Sequence, residues 1–267
     1  MLTNKLREFA KELRTLVKSG ASKEDVLAHK AAQMSLIYNI VAVSLGTPPK
    51  TFDWEYYAKG GEYNVIRELT PMSFKDLLPF SLDDYYSLIN DPRNEYGKLY
   101  TVEYLGNVVG GHPIRYINAD VDALKSVAKG VLAGGEPVWF GCDVGKRFVR
   151  SMGAMDTNLV DYESLYGTKP AMSKKDRLEY GESLMTHAMT FTGFNEDAAG
   201  SVERWRVSNS WGTDIGDSGY LLMTDDWFSE FMYQVVVHKD AIPPELLAVL
   251  DTEAIALSAW DPMGALA

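Results

Sequence analysis

Trp205-Arg206-Val207-Ser208-Asn209-Ser210-Trp211-Gly212 reads as a strand that runs into a turn. Apolar and polar residues alternate through Trp205 to Ser208, and Asn209, Ser210 and Gly212 carry turn chemistry. A further strand follows from Gly219-Tyr220. Before Asn209, at a separation of 22 residues, stands His187 in Leu184-Met185-Thr186-His187-Ala188-Met189-Thr190-Phe191, near the start of another strand. Alone, a strand histidine is most simply a satisfied core residue, and an asparagine a turn former. Together they have a mechanical reading. An amide oxygen can accept the ring N–H of an imidazole, fixing its tautomer and orientation and leaving the other nitrogen free for proton transfer. An indole beside that bond, Trp211, would screen it from water, where a hydrogen bond is worth more.

Strand patterns cluster around this pair: Met185 to Phe194, Val202 to Ser208, Gly219 to Thr224 and Met232 to His238. The apolar run Pro137-Val138-Trp139-Phe140 reads as a buried strand fed by a helix from about Val121 to Leu132, which Gly134-Gly135 ends. Further helical patterns lie near 173–181 and 243–250. Upstream, Thr51 to Trp54 and Leu99 to Leu105 alternate like strands, Thr70-Pro71 opens a short capped helix, and Asn90-Asp91-Pro92 and Gly110-Gly111 mark turns. At the N-terminus, Leu2, Leu6, Phe9, Leu13 and Leu16 recur at helical spacing over 2–18. Ser22 with Asp25 predicts the cap of a second helix over about 23–45, stopped by Gly46 and Pro48-Pro49. Late strands flanked by helices predict an α+β fold with a mainly antiparallel sheet. Ser258 to Ala267 has no periodicity and reads as an extended tail.

The 267 residues are 46% hydrophobic and 24% charged, a globular composition, and carry a net charge of −11. That charge disfavours nucleic-acid binding through phosphate contacts. No apolar run approaches the roughly 18 residues needed to span a bilayer. The longest, Ile37 to Leu45, is broken by Asn39 and Ser44, so no membrane partner is expected. No phosphate-loop motif or nucleophile-elbow serine occurs, and no cofactor is expected. The four histidines, His29, His112, His187 and His238, form no metal pair, so no metal site is expected. The single cysteine, Cys142, excludes an internal disulfide and makes the cytosol the default compartment.

With His187 in a strand and Asn209 in Asn-Ser-Trp-Gly, the chain resembles the papain-like cysteine peptidases, and within them the bleomycin hydrolase and aminopeptidase C branch. The resemblance rests on Val138 to Gly145, Gly181 to Met189, Trp205 to Gly212, Met223 to Phe228, the ending Ala259-Trp260-Asp261-Pro262-Met263-Gly264-Ala265-Leu266-Ala267, and the helix around Arg7-Glu8-Phe9. It implies a helical hairpin over 1–49, a β-rich lobe with helical insertions over 50–257, and a tail over 258–267 lying in the active-site cleft. His187 would pair with a nucleophilic thiol, Asn209 would orient it and Trp211 would shield their contact. The tail residues Gly264, Ala265, Leu266 and Ala267 would obstruct part of the cleft. Their carboxylate would attract a substrate ammonium and so favour peptide or amide substrates with a free N-terminus.

The thiol is the anomaly. The Cys-Gly-Ser/Ala-Cys-Trp/Tyr segment of papain-type enzymes is absent. Cys142 follows an apolar strand, and no tryptophan or tyrosine comes after it. It reads as a small buried hydrophobe, and its counterpart in the family is not the nucleophile. The chain is thus expected to be the C-terminal part of such an enzyme, without most of the helical lobe that bears the nucleophile, and to be inactive and poorly soluble alone. Full-length relatives form homo-hexamers. The second reading is a non-catalytic assembly or regulatory paralogue. Nucleic-acid binding occurs in the family, but the charge argues against it here.

Overall fold

The computed structural model describes residues 1–106, 108 and 110–265. The chain divides into two compact units, Met1–Pro79 and Phe80–Ala267, a division that places 50–79 with the helical hairpin.

In the first unit, helices α1 (Leu2–Lys18) and α2 (Lys23–Leu45) form the expected hairpin. The Ser22 side chain accepts the Asp25 N–H at 3.1 Å and caps α2. Gly46, in a positive-φ conformation closed to most side chains, ends it. Gln33, the one buried residue of α2, donates to the Glu12 carboxylate at 2.7 Å. Although no apolar run in α2 approaches 18 residues, the helix is long enough to cross a bilayer, and its mean hydropathy over 18 residues reaches 1.2. Polar residues are interspersed in a strongly apolar composition, and averaging over a window hides them. Strands β1 (Phe52–Tyr57) and β2 (Tyr63–Leu69) pair antiparallel, and the short helix α3 (Pro71–Lys75) packs Phe74 edge-on to Trp54. A Thr70–Ser73 capping box starts α3.

The second unit is built on an eleven-stranded mixed sheet. Its strands in chain order are β3 (Tyr85–Ile89), β4 (Lys98–Val102), β5 (Tyr116–Asn118), β6 (Val138–Cys142), β7 (Phe148–Val149), β8 (Ala154–Met155), β9 (His187–Glu196), β10 (Val202–Ser208), β11 (Tyr220–Thr224), β12 (Met232–His238) and β13 (Ile255–Leu257). They lie side by side as β13-β4-β5-β3-β12-β6-β9-β10-β11-β8-β7. Only β13–β4, β3–β5 and β11–β8 are parallel among these pairs, so the sheet is mainly antiparallel. Helices α4 (Val121–Ala133), α5 (Tyr162–Tyr166), α6 (Lys174–Glu179), α7 (Asp225–Phe231) and α8 (Pro244–Leu247) complete the α+β fold.

The core of this unit is aromatic. Phe140 and Phe191 stack at 3.9 Å across β6 and β9, and Trp205 and Phe228 extend the stack. Leu124, Val127 and Ala128 of α4 and Trp227, Phe228 and Phe231 of α7 close over it. The large exposed apolar residues are most concentrated not on the sheet but on α2, at Leu27, Met34, Leu36, Tyr38, Val43 and Leu45.

The end of the chain departs from an extended tail. Residues 262–264 form a 3₁₀ turn capped by Asp261, and Met263 is wholly buried with Tyr100, Val102, Tyr116 and Tyr233. Apolar burial at one residue imposes order that no periodicity announces.

Candidate active site

His187 opens β9 at the point where β6 ends, and the loop before it is tied down on a buried carboxylate. Asp143 accepts from Ser183 Oγ at 2.8 Å, from Thr186 Oγ1 at 3.3 Å and from the Leu184 N–H at 3.4 Å. The Thr186 N–H donates to the Cys142 carbonyl at 2.9 Å, while Met185 is fully buried. Sequence reading missed Asp143. Its signal was an acidic residue directly after a fully apolar strand, a place where an unpaired carboxylate is costly.

Asn209 lies one residue past the end of β10. Its N–H bonds to the Gly219 carbonyl at 3.2 Å, closing the loop 209–219. Gly219 has φ +89°, and a Cβ there would stand 3.1 Å from the Gly212 carbonyl oxygen, so this closure needs glycine. The Asn209 side chain reaches the imidazole, with Oδ1 3.0 Å from His187 Nε2. That oxygen also accepts the Ser210 backbone N–H at 2.8 Å. A backbone N–H only donates, which identifies the atom as oxygen. Oxygen only accepts, so Nε2 carries the hydrogen. The basic lone pair is left on Nδ1.

Trp211 lies against the imidazole. Its ring lies 4.8 Å from the imidazole at an interplanar angle of 31°. Phe148 at 6.1 Å and the Arg150 guanidinium at 5.1 Å also pack on the indole. All three of His187, Asn209 and Trp211 are half-buried. Asn209 Nδ2 is buried and has no partner among the described residues. Beside Asn209 lies a cavity of about 230 Å³ lined by Ser208, Ser210, Thr213 and Tyr220. A much larger groove, about 1440 Å³, runs past Arg147, Tyr162 and Glu230 and contains none of the three residues. The chemistry therefore does not lie in that groove.

Cys142 stands nearer to His187 than its sequence separation suggests. The two residues are directly opposed in the β6–β9 ladder. The thiol is nevertheless fully buried in the core, and burial together with Asp143 raises it well above the ordinary thiol range. It forms no hydrogen bond with the imidazole among the described residues. A protonated thiol without solvent access is not a nucleophile. Of the tail residues, Gly264 is half-buried and Ala265 exposed, whereas Leu266 and Ala267 lie outside the described residues. Among the described residues, no group of three or more His, Cys, Asp or Glu side chains could hold a metal ion.

The chain is similar to known proteins over its whole length. The chain is 50% identical over its whole length to bleomycin hydrolase of Homo sapiens, of which it covers 60%. It is 43% identical to aminopeptidase C of Listeria monocytogenes, again over 100% of this chain and 60% of that protein. The crystal structure of PepW from Lactobacillus rhamnosis superposes with a TM-score of 0.95 at 46% identity, covering 100% of this chain and 61% of the other. The chain thus spans about 60% of the length of the curated relatives it matches. Residues 1–264 match the Peptidase C1-like family, and the chain belongs to that family of papain-like fold.

Proposed function

We propose that this chain supplies the base half of a thiol-dependent aminopeptidase site, with His187 as general base and acid, Asn209 as its orienting partner and Trp211 as their cover. The observation that carries the reading is the 3.0 Å contact between His187 Nε2 and Asn209 Oδ1, which leaves Nδ1 free. In this mechanism Nδ1 takes the proton of a cysteine thiol carried by a segment outside this sequence. The resulting thiolate attacks the substrate carbonyl, and the imidazolium returns the proton to the departing amine. Water, deprotonated by the same nitrogen, then attacks the acyl–sulfur bond and releases the acid product. Asn209 keeps the ring oriented while it is charged, and Trp211 keeps bulk water from the bond that does so.

The substrate class is a peptide or amide with a free N-terminus. Support comes from the relatives' names and from the anchored Met263, which holds the start of a tail able to obstruct extended substrates. A homo-hexamer and a cytoplasmic location are expected of the full-length form. The buried state of Cys142 supports inactivity of the chain alone.

The test uses an aminoacyl fluorogenic substrate, with and without a thiol alkylator. The chain alone should be silent. Co-expression with the part of PepW that this chain does not match should give alkylator-sensitive turnover that His187→Ala abolishes. Turnover by the chain alone would overturn the assignment of the nucleophile. No turnover after complementation would favour the non-catalytic assembly or regulatory reading.

A further inference from the structure

The loop that delivers His187 to β9 rests on a chain of three buried polar side chains from three different parts of the fold. Asp143 follows β6, Ser183 lies in the loop and Tyr233 belongs to β12, and each is at most 5% exposed. Ser183 Oγ donates to Asp143 Oδ2 at 2.8 Å and lies 2.7 Å from the Tyr233 hydroxyl. A serine hydroxyl has one hydrogen, and here the carboxylate takes it. Tyr233 is therefore the donor of the second bond, and the chain has one direction, from Tyr233 through Ser183 to Asp143. Burial pushes the Tyr233 hydroxyl up to about 12, so it keeps that hydrogen throughout the neutral range.

Among the described residues, the Asp143 carboxylate meets no cation. Its donors are Ser183, Leu184 and Thr186, all within the four residues before His187. A buried carboxylate is costly to leave unpaired, so those donors cannot swing away without loss. The Thr186 N–H, bonded to the Cys142 carbonyl at 2.9 Å, adds a backbone tie next to the Cys142–His187 pair of the ladder. The far end of the chain is fixed as well. Lys174 Nζ stands 4.8 Å from the centre of the Tyr233 ring and donates to the neighbouring Met232 carbonyl at 2.6 Å. The imidazole is thus held by two separate devices. Asn209 Oδ1 takes Nε2 at 3.0 Å, and residues 183–186 set where the His187 backbone stands. A site of this kind works only when its supports agree to within about 0.5 Å.

We infer that Asp143, Ser183 and Tyr233 are positioning residues for His187: by fixing the residues that precede it, they decide whether Nε2 meets Asn209 and so which ring nitrogen is left basic. This deepens the proposed base role of His187 and rests on it. None of the three hydrogen-bonds the imidazole among the described residues, where Nε2 is taken by Asn209. They act through the backbone that carries it.

Nitrogen-15 NMR of the neutral His187 ring tests this in the chain as it stands, with no turnover required. Tyr233→Phe removes one hydroxyl and keeps the packed ring. It should shift the ratio of Nε2–H to Nδ1–H tautomers about two- to five-fold toward Nδ1–H. Asp143→Asn turns one acceptor into a donor facing hydroxyls and should shift the ratio by about five-fold or more. Leu124→Ala serves as the control. It opens the core under α4, where Leu124 is fully buried, without touching the chain of hydroxyls. It should lower the urea midpoint and leave the ratio of the folded protein in place. A merely structural role for Asp143 and Tyr233 would give the same result as this control. If the wild-type ring is Nε2–H and neither variant moves the ratio, the positioning role is overturned and the base role of His187 stands. A wild-type ring with its hydrogen on Nδ1 would overturn both together. Should Asp143→Asn fail to fold, Tyr233→Phe decides alone.

Discussion

Replacing Asn209 by leucine tests the central contact without any need for catalysis. The substitution keeps the branched heavy-atom outline and removes the only acceptor paired with His187 Nε2 among the described residues. The bond is 3.0 Å long, and the Trp211 ring lies 4.8 Å from the imidazole that makes it. A hydrogen bond of this kind contributes a net 0.5–1.5 kcal/mol, roughly, which corresponds to a change of about 2- to 13-fold in the ratio of Nε2–H to Nδ1–H tautomers. Partial burial places the expected value in the upper half of that range. Nitrogen-15 NMR of the neutral imidazole rings reads the ratio directly, and His29, His112 and His238 serve as internal references. The wild-type ring of His187 should be dominantly Nε2–H. Asn209→Leu should shift only that ring toward the other tautomer. A wild-type ring carrying its hydrogen on Nδ1, or a ratio that the substitution leaves in place, would refute the reasoning.

Three further outcomes follow from the same structure. Cys142, buried and held protonated, should resist alkylation in the native chain by a factor on the order of 10³ or more relative to the unfolded chain, read by mass spectrometry; labelling at the unfolded rate under native conditions contradicts its burial. Phe191→Ala removes a ring stacked at 3.9 Å on Phe140 and should cost roughly 3–5 kcal/mol in urea unfolding, with a loss below about 1 kcal/mol contradicting the packing. Lys174 is buried, and its ammonium donates to Asn90 Oδ1 and to the Ser229 and Met232 carbonyls. Burial still pushes it down to about 7. The unfolded chain then binds more protons between that value and the ordinary 10.5, so stability should rise with pH across this window, by at most about 5 kcal/mol. The rise should vanish in Lys174→Met, and an identical pH slope in the two proteins would exclude the titration.

Elements with a local signal were legible in the sequence. The apolar spacing of α1, the Ser22 cap of α2, the alternation of β10 and the β-branched run of β12 all depend on near neighbours in the chain, and their limits agree with the structure closely. Strands β3 and β5 carry no such signal. They are short, centrally placed and paired in parallel, so their residues need not alternate. Helix α7 was missed because it joins β11 to β12 with no glycine or proline between, leaving only the Thr224-Asp225-Asp226 cap to announce it. The position of Asp143 after an apolar strand hinted at a paired carboxylate, but its partners could not be named because they lie some 40 residues away.

For the site, sequence by itself named His187, Asn209 and Trp211, because a strand histidine and an Asn-Ser-Trp-Gly turn are readable residue by residue. It also marked Cys142 as an unfit nucleophile from its apolar surroundings. Tertiary structure alone decided which ring nitrogen is held and which is free, since that depends on how the end of β10 faces the start of β9. It alone placed Cys142 opposite His187 yet inside the core, and joined Arg93 to Asp261 across 168 residues. Periodicity and capping are properties of a short stretch of chain. Ladder register, burial and the direction of a side chain are set only when distant stretches compete for the same apolar interior.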